Sequence, residues 1–277
     1  MANSPFPSRK DFSGAVAVVT GGGGVLCGAM SRTLAAAGVK VAVLDIKPDA
    51  EEGVAAAIRA AGGEALGIGC DVLDRKSLEA AAEIILGAYG RVDILINGAG
   101  GNKPQATTGP EARFFDLPPD ALRWVFDLNL MGIIMPSQVF GRIMAECRKG
   151  VILNIASMNA IRPLTRVPAY SAAKAGVANF TQWLAVHMAQ EYSPEIRVNA
   201  IAPGFFLTEQ NRFLLTEKGS GELTPRGRSI LDHTPMKRFG GPEDLMGTML
   251  WLLSPASAFV TGVIVPVDGG YSAFGGV

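Results

Sequence analysis

Tyr170 and Lys174 stand four residues apart, a spacing that stacks them on one helix face. Ser157 precedes Tyr170 by thirteen residues. It closes a short apolar run, residues 151–156, that reads as a buried parallel strand. A hydroxyl, a phenol and an ammonium so arranged suit proton transfer at a carbinol or carbonyl carbon. A free tyrosine titrates near about 10 and is a poor base at neutrality. An adjacent ammonium favours the phenolate, so Lys174 is expected to draw Tyr170 down while Ser157 holds the reacting oxygen. For the pair alone, a core tyrosine and a surface lysine sharing a turn is the plain alternative.

The elements that must position this trio can be read upstream. Residues 15–19 are continuously apolar and run into Thr20 and four glycines, followed by a small-residue helix over 26–37. Strand, glycine turn and helix form a dinucleotide cradle, because glycine lets the backbone approach a pyrophosphate that the helix N-terminus faces. Asp45 closes a second strand, 39–44. A carboxylate there accepts from both ribose hydroxyls of NAD and repels the 2′-phosphate of NADP, although it also suits a helix N-cap. Helices over 49–61 and 75–89 alternate with strands over 65–70 and 92–96, and a long helix over 120–147 leads to the 151–156 strand. Such alternation predicts an α/β fold, a doubly wound parallel sheet of the Rossmann type with seven strands in a single domain, 1–277.

Residues 101–119 interrupt the pattern with Gly, Pro, Thr and Asn, beyond the usual βα connection of about 2–6 residues. They read as a surface insertion or as a loop bordering the substrate site. The Tyr170 helix continues to 192, where His187 is read as structural. Residues 197–201 and 262–267 are the last strands. Residues 209–240 show no sustained period, and 242–253 is apolar almost all round, so it is expected to be buried at a subunit contact.

With 48% apolar residues and a net charge of zero, the chain has material for a large core and no basic surface for nucleic acid or anionic membrane. No apolar run reaches the roughly 18 residues of a membrane span. The polar tail, 1–13, lacks a signal-peptide core, so a cytoplasmic protein is expected. Three scattered cysteines form no metal or disulfide pattern and read as small buried residues.

Ser157, Tyr170 and Lys174, the last two in Y-S-A-A-K, resemble the catalytic signature of the short-chain dehydrogenase/reductase family, and the resemblance covers nearly the whole chain. It implies Tyr170 as acid/base, Lys174 on the nicotinamide ribose, and Asn129 in D-L-N-L-M-G ordering a relay water; Asn129 also reads as a polar residue bending a helix. It implies cofactor contacts from Gly21, Gly24, Val25 and Leu26, from Asp71 and Val72 at the adenine, and from Asn97, Ala99 and Gly100 beneath the cofactor. Pro203, Gly204, Phe206 and Thr208 resemble the segment holding the carboxamide, and 205–240 the substrate lid. The turn T-G-G-G-G-V-L-C-G departs from the family's T-G-x-x-x-G-x-G, with Val25 and Cys27 in the second and third glycine places. A homotetramer is the family expectation.

Further segments, among them N-G-A-G-G-N-x-P, S-M-N-A and A-P-G-F-F-x-T-x-Q-N-R, resemble the branch of D-mannonate oxidoreductases (fructuronate reductases). That implies an NAD-dependent oxidoreductase of a sugar acid. A gluconate 5-dehydrogenase-like or other polyol dehydrogenase is the alternative, and a non-catalytic NAD-binding regulator the reading from another class. A sugar acid needs a cation or several hydrogen-bond donors for its carboxylate. Arg212 is the first candidate because a guanidinium grips a carboxylate bidentately. Arg162 and Lys103 follow, each equally readable as a solvated surface charge. Asn102, Asn159, Gln210 and Asn211 are candidates to meet the remaining substrate groups.

Overall fold

The computed structural model describes residues 9–47, 49–110, 112–207, 215–217 and 221–276. Seven strands form one parallel sheet: β1 (Val16–Thr20), β2 (Lys40–Asp45), β3 (Ala65–Gly69), β4 (Ile94–Asn97), β5 (Gly150–Ile155), β6 (Ile196–Pro203) and β7 (Ile264–Val267), in the order 3-2-1-4-5-6-7. The order reverses between β1 and β4, the switch point at which open α/β sheets bind ligands. After a short turn of helix, α1 (Arg9–Phe12), the chain forms α2 (Val25–Ala36), α3 (Ala50–Ala60), α4 (Arg75–Tyr89), α5 (Pro119–Phe126), α6 (Gly132–Cys147), α7 (Pro168–His187), α8 (Pro225–Asp232) and α9 (Glu243–Leu253).

The continuous apolar runs follow from burial on both faces. On β1, Ala17 and Val19 join a core with α2, α3 and α9, whereas Val16 and Val18 face α4, α6 and α7. Each fully buried aliphatic side chain contributes about 1.5–3 kcal/mol. Pro168 opens α7 at a position where its missing N–H costs nothing, and small residues then let neighbouring helical segments lie close to it: a β-carbon on Gly176 would already stand 3.3 Å from Leu130. Arg197 is buried under the C-terminus of α9 and donates to the carbonyls of Leu252, Ser254 and Val260 at 2.9–3.2 Å. The carbonyls of Leu252 and Ser254 stand at the helix end, where main-chain acceptors lack a partner within the helix, and the cation complements the helix dipole.

Three expectations are corrected. The long helix over 120–147 is broken by a π-helical turn, Asp127–Met131, and α7 likewise ends in one, Met188–Tyr192. The segment 209–240 contains α8, whose N-cap Thr224 accepts from Gly227 N. Helix α9 buries Leu245, Met249, Leu252 and Leu253 within the chain and presents Glu243, Asp244 and Trp251 on its outer side. Cys27 and Cys70 are buried, but Cys147 is exposed. Among the described residues no helix is long and apolar enough to cross a membrane.

A line of buried amides and hydroxyls ties the two central strands to their helices. Asn97 Nδ2 on β4 donates to Ser137 Oγ on α6 and to Asn154 Oδ1 on β5, both at 2.9 Å. Asn154 Nδ2 donates to Thr181 Oγ1 on α7 at 2.9 Å. The two hydroxyls discharge their protons onto their own helices, Ser137 to Ile133 O and Thr181 to Val177 O. Asn97 Oδ1 is left without a partner among the described residues. Asn154→Ala removes the middle of this line and is expected to lower stability by about 1–3 kcal/mol. A lower urea midpoint at unchanged slope is the expected reading; an unchanged midpoint overturns it.

Candidate active site

The site is built on loops leaving the C-terminal ends of β1, β2, β4, β5 and β6. Gly21 has a φ of +62°, and a β-carbon there would stand 2.9 Å from Ala99 Cα. Only glycine meets both conditions. Gly22 N binds Leu44 O at 2.9 Å, and Gly24 becomes the N-cap of α2 with no side-chain cap and no acidic residue in the first turn. The first N–H groups of α2 therefore face outward, as an anion site requires. Val25 is its exposed first residue, and Leu26 packs partly against the core.

Asp45 stands beside this turn, with Oδ2 accepting from Gly23 N at 3.1 Å and Oδ1 from Lys47 N at 3.0 Å. The N-cap of α3 is Asp49 instead, so the capping alternative for Asp45 falls.

The missing third glycine has a structural answer. Cys27 points its sulfur at Gly98, where any β-carbon would overlap Sγ. The side chain gained at position 27 occupies the room of one absent at 98. Burial pushes the Cys27 thiol up to about 12, with Lys174 opposing and Asp45 adding to the shift, so the group stays protonated at neutral pH. The same loop is anchored by Thr20, whose Oγ1 accepts from Gly98 N at 3.1 Å and Ala99 N at 3.3 Å.

Ser157 is the second residue past β5, and it is buried. Tyr170 sits half-buried in the first turn of α7. Burial raises its phenol above the ordinary value, and a hydrogen bond with Ser157 opposes the rise. Lys174 is buried one turn on; its Nζ donates to Ile155 O at 2.8 Å and lies 5.7 Å from the Tyr170 ring centre. Desolvation lowers Lys174 to about 8, partly countered by Cys27. The expected lowering of Tyr170 by Lys174 is thus corrected: burial dominates, and it acts on the ammonium as well as on the phenol.

Asn129 lies in the π-helical turn, fully buried, where Nδ2 donates to Gly101 O and Val125 O while Oδ1 accepts from Gly101 N. A β-carbon on Gly100 would be 2.9 Å from Asn129 Oδ1 and 3.5 Å from Lys174 Nζ, so Gly100 keeps the two in one space. π-Turns of this kind recur at functional sites.

The remaining candidates divide by what already holds them. Asp71 Oδ1 accepts from Leu73 N at 2.9 Å, and Val72 is buried against Gly132. Asn97 turns its side chain into the interior line, leaving only its main chain for a ligand. Gly204 packs on Asp268, with its N–H on Val267 O, and Phe206 is buried against Gly240. Asn102 donates to Thr107 Oγ1, Lys103 lies 4.1 Å from the Trp124 ring centre, and Arg162 donates to Phe274 O at 3.3 Å. Asn159 is buried and internally bonded, not presented to a ligand. Thr208, Gln210, Asn211 and Arg212 lie outside the described residues. The 101–119 insertion is joined to the Ser157–Tyr170 loop by Thr108 N to Arg166 O at 2.8 Å, and its Ala106 is buried with Ala169 beside Tyr170.

Comparison with known proteins agrees with this geometry. A family model described as enoyl-(acyl carrier protein) reductase matches residues 26–272. An uncharacterized oxidoreductase of Bacillus subtilis (strain 168), UxuB, is 51% identical over 98% of this chain and 99% of its own. The 7alpha-hydroxysteroid dehydrogenase of Escherichia coli (strain K12) is 34% identical over 94% of each chain. A Haemophilus influenza protein, provisionally named a D-mannonate oxidoreductase and solved with bound NAD, superimposes with a TM-score of 0.91 at 44% identity, covering 96% of this chain and 97% of that one. By fold, by the whole length of its sequence and by the groups gathered at its strand ends, the chain belongs to the short-chain dehydrogenase/reductase family, as an oxidoreductase acting on a CH–OH group.

Proposed function

We propose that the chain interconverts a sugar acid alcohol and its keto form, D-mannonate and D-fructuronate, using NAD. The observation that carries the reaction type is the meeting of half-buried Tyr170 with buried Ser157 and Lys174 in one cluster beside the uncapped N-terminus of α2. The sugar acid rests on the likeness to the Haemophilus protein. Gly21, Gly24, Val25 and the N–H groups of α2 hold the pyrophosphate, and Asp45 takes the adenosine ribose. When bound, NAD supplies the hydride acceptor for the alcohol or, reduced, the hydride donor for the ketone. Tyr170 removes the alcohol proton in one direction and returns it in the other, while Ser157 holds the oxygen. Lys174 contributes positive charge beside the phenol. The chain acts in the cytoplasm, and a homotetramer is its assembled form.

An uncharged polyol is the second reading, and one observation favours it. Of the cations predicted for a carboxylate, Lys103 and Arg162 already face Trp124 and Phe274 O, which leaves that role to Arg212.

Four outcomes test the proposal. Tyr170→Phe is expected to lower kcat by about 10²-fold or more while NADH binding persists; retention of about a tenth of activity overturns the assignment. In the unmodified enzyme the raised phenol makes alcohol oxidation climb as pH rises, because that direction needs the phenolate. Asp45→Ser is expected to relax discrimination against NADP by removing the repulsion of the 2′-phosphate, read as kcat/KM with each cofactor; equal values in the unmodified enzyme overturn it. Arg212→Ala is expected to raise KM for D-mannonate strongly and for an uncharged polyol little. Equal loss on both substrates assigns Arg212 a structural part and moves the carboxylate elsewhere.

A further inference from the structure

Asn159 lies two residues past Ser157 and is buried, yet it makes four polar contacts, all within the Ser157–Ser171 stretch. Its Oδ1 is 2.9 Å from Leu164 N and 2.8 Å from Ser171 Oγ. A main-chain N–H can only donate, so the amide atom facing Leu164 must be the oxygen. The orientation of the amide is thereby fixed, and Nδ2 faces the other way, 3.4 Å from Ser157 Oγ. The main-chain N–H of Asn159 approaches the same oxygen at 3.2 Å.

A serine hydroxyl has one proton and two acceptor positions. Both contacts from Asn159 to Ser157 Oγ are donors, so both acceptor positions are taken and the serine proton is left for the side facing Tyr170, with which Ser157 is hydrogen-bonded, and the substrate oxygen. We propose that Asn159 is a positioning residue that fixes the hydrogen-bond polarity of Ser157, so that Ser157 meets the substrate oxygen only as a donor. An alcohol held there finds no acceptor in Ser157, and its own proton is directed to Tyr170. A carbonyl held there receives the Ser157 proton as a hydrogen bond, the contact that strengthens as charge develops on the oxygen. Asn159 therefore sorts two hydroxyls that would otherwise donate to each other in either sense. Its second task, through Oδ1, is to hold Ser171, the neighbour of Tyr170 on α7.

This inference rests on the role proposed for Ser157, and a double-mutant cycle separates the two. Asn159→Asp keeps the shape but replaces Nδ2 by an acceptor, which turns the Ser157 proton inward. Asn159→Ala removes the donor without burying a charge and serves if the aspartate variant does not fold. Each is made with Ser157 present and in a Ser157→Ala background, and kcat is measured on whichever sugar acid or polyol turns over fastest. NADH fluorescence titration and thermal melting are recorded alongside. Asn159→Asp is expected to lower kcat by about tenfold or more with Ser157 present, and by less than about threefold once Ser157 is alanine, while NADH affinity changes by no more than about twofold. The alanine variant shows the same dependence on Ser157 with a smaller loss. Equal fold-losses in the two backgrounds, or an unaltered kcat with Ser157 present, overturn the inference and make Asn159 a loop brace. If Ser157→Ala alone leaves kcat unchanged, the role of Ser157 falls and the inference with it.

Discussion

Everything at the strand ends depends on β4 and β5 being held at one register relative to α6 and α7, and the buried line Ser137–Asn97–Asn154–Thr181 does this. Apolar contacts alone are non-directional and tolerate sliding, whereas a buried amide left unpaired costs about 1–3 kcal/mol. A slip of β4 against β5 would break several of these bonds at once. The line therefore converts packing into alignment. Just beyond it, β5 releases the chain into Ser157 and β4 releases it into Gly98–Gly101, the two loops between which Lys174 and Asn129 meet.

The second organising fact is desolvation. Lys174 and Tyr170 are both displaced toward their neutral forms, the first to about 8 and the second above its ordinary value, and burial is the larger cause in each. The shift brings Lys174 nearer to neutrality but carries Tyr170 further from it, so the phenolate has to be stabilised by hydrogen bonds such as the one with Ser157. Ile155 O gives the ammonium a directional partner but not a counter-charge. The site is thus held by neutral dipoles: the Ile155 carbonyl, and the Asn129 and Asn159 amides, each amide fixed by further contacts of its own.

The alternation of apolar runs with helical segments made the seven strands and most helices legible, because a parallel sheet buried on both faces leaves an unmistakable pattern. Tyr170 and Lys174 were legible because helical spacing alone stacks them. The π-helical turn at Asp127–Met131 was not, since an inserted residue in a continuous helix leaves the composition unchanged. Nor could the sequence distinguish Asn159 presented to a ligand from Asn159 turned inward, because that depends on where Leu164 N points. The effect of Lys174 on Tyr170 was misjudged for a related reason: spacing shows which charges are neighbours, but not how much water each has lost.

The packing of Cys27 against Gly98 also couples two loops that are far apart in the sequence. In this arrangement a sulfur at 27 and a β-carbon at 98 claim the same space, so a side chain at 98 requires Cys27 to turn away. The dinucleotide turn and the β4 loop therefore share one volume, and a change of size on either is felt by the other.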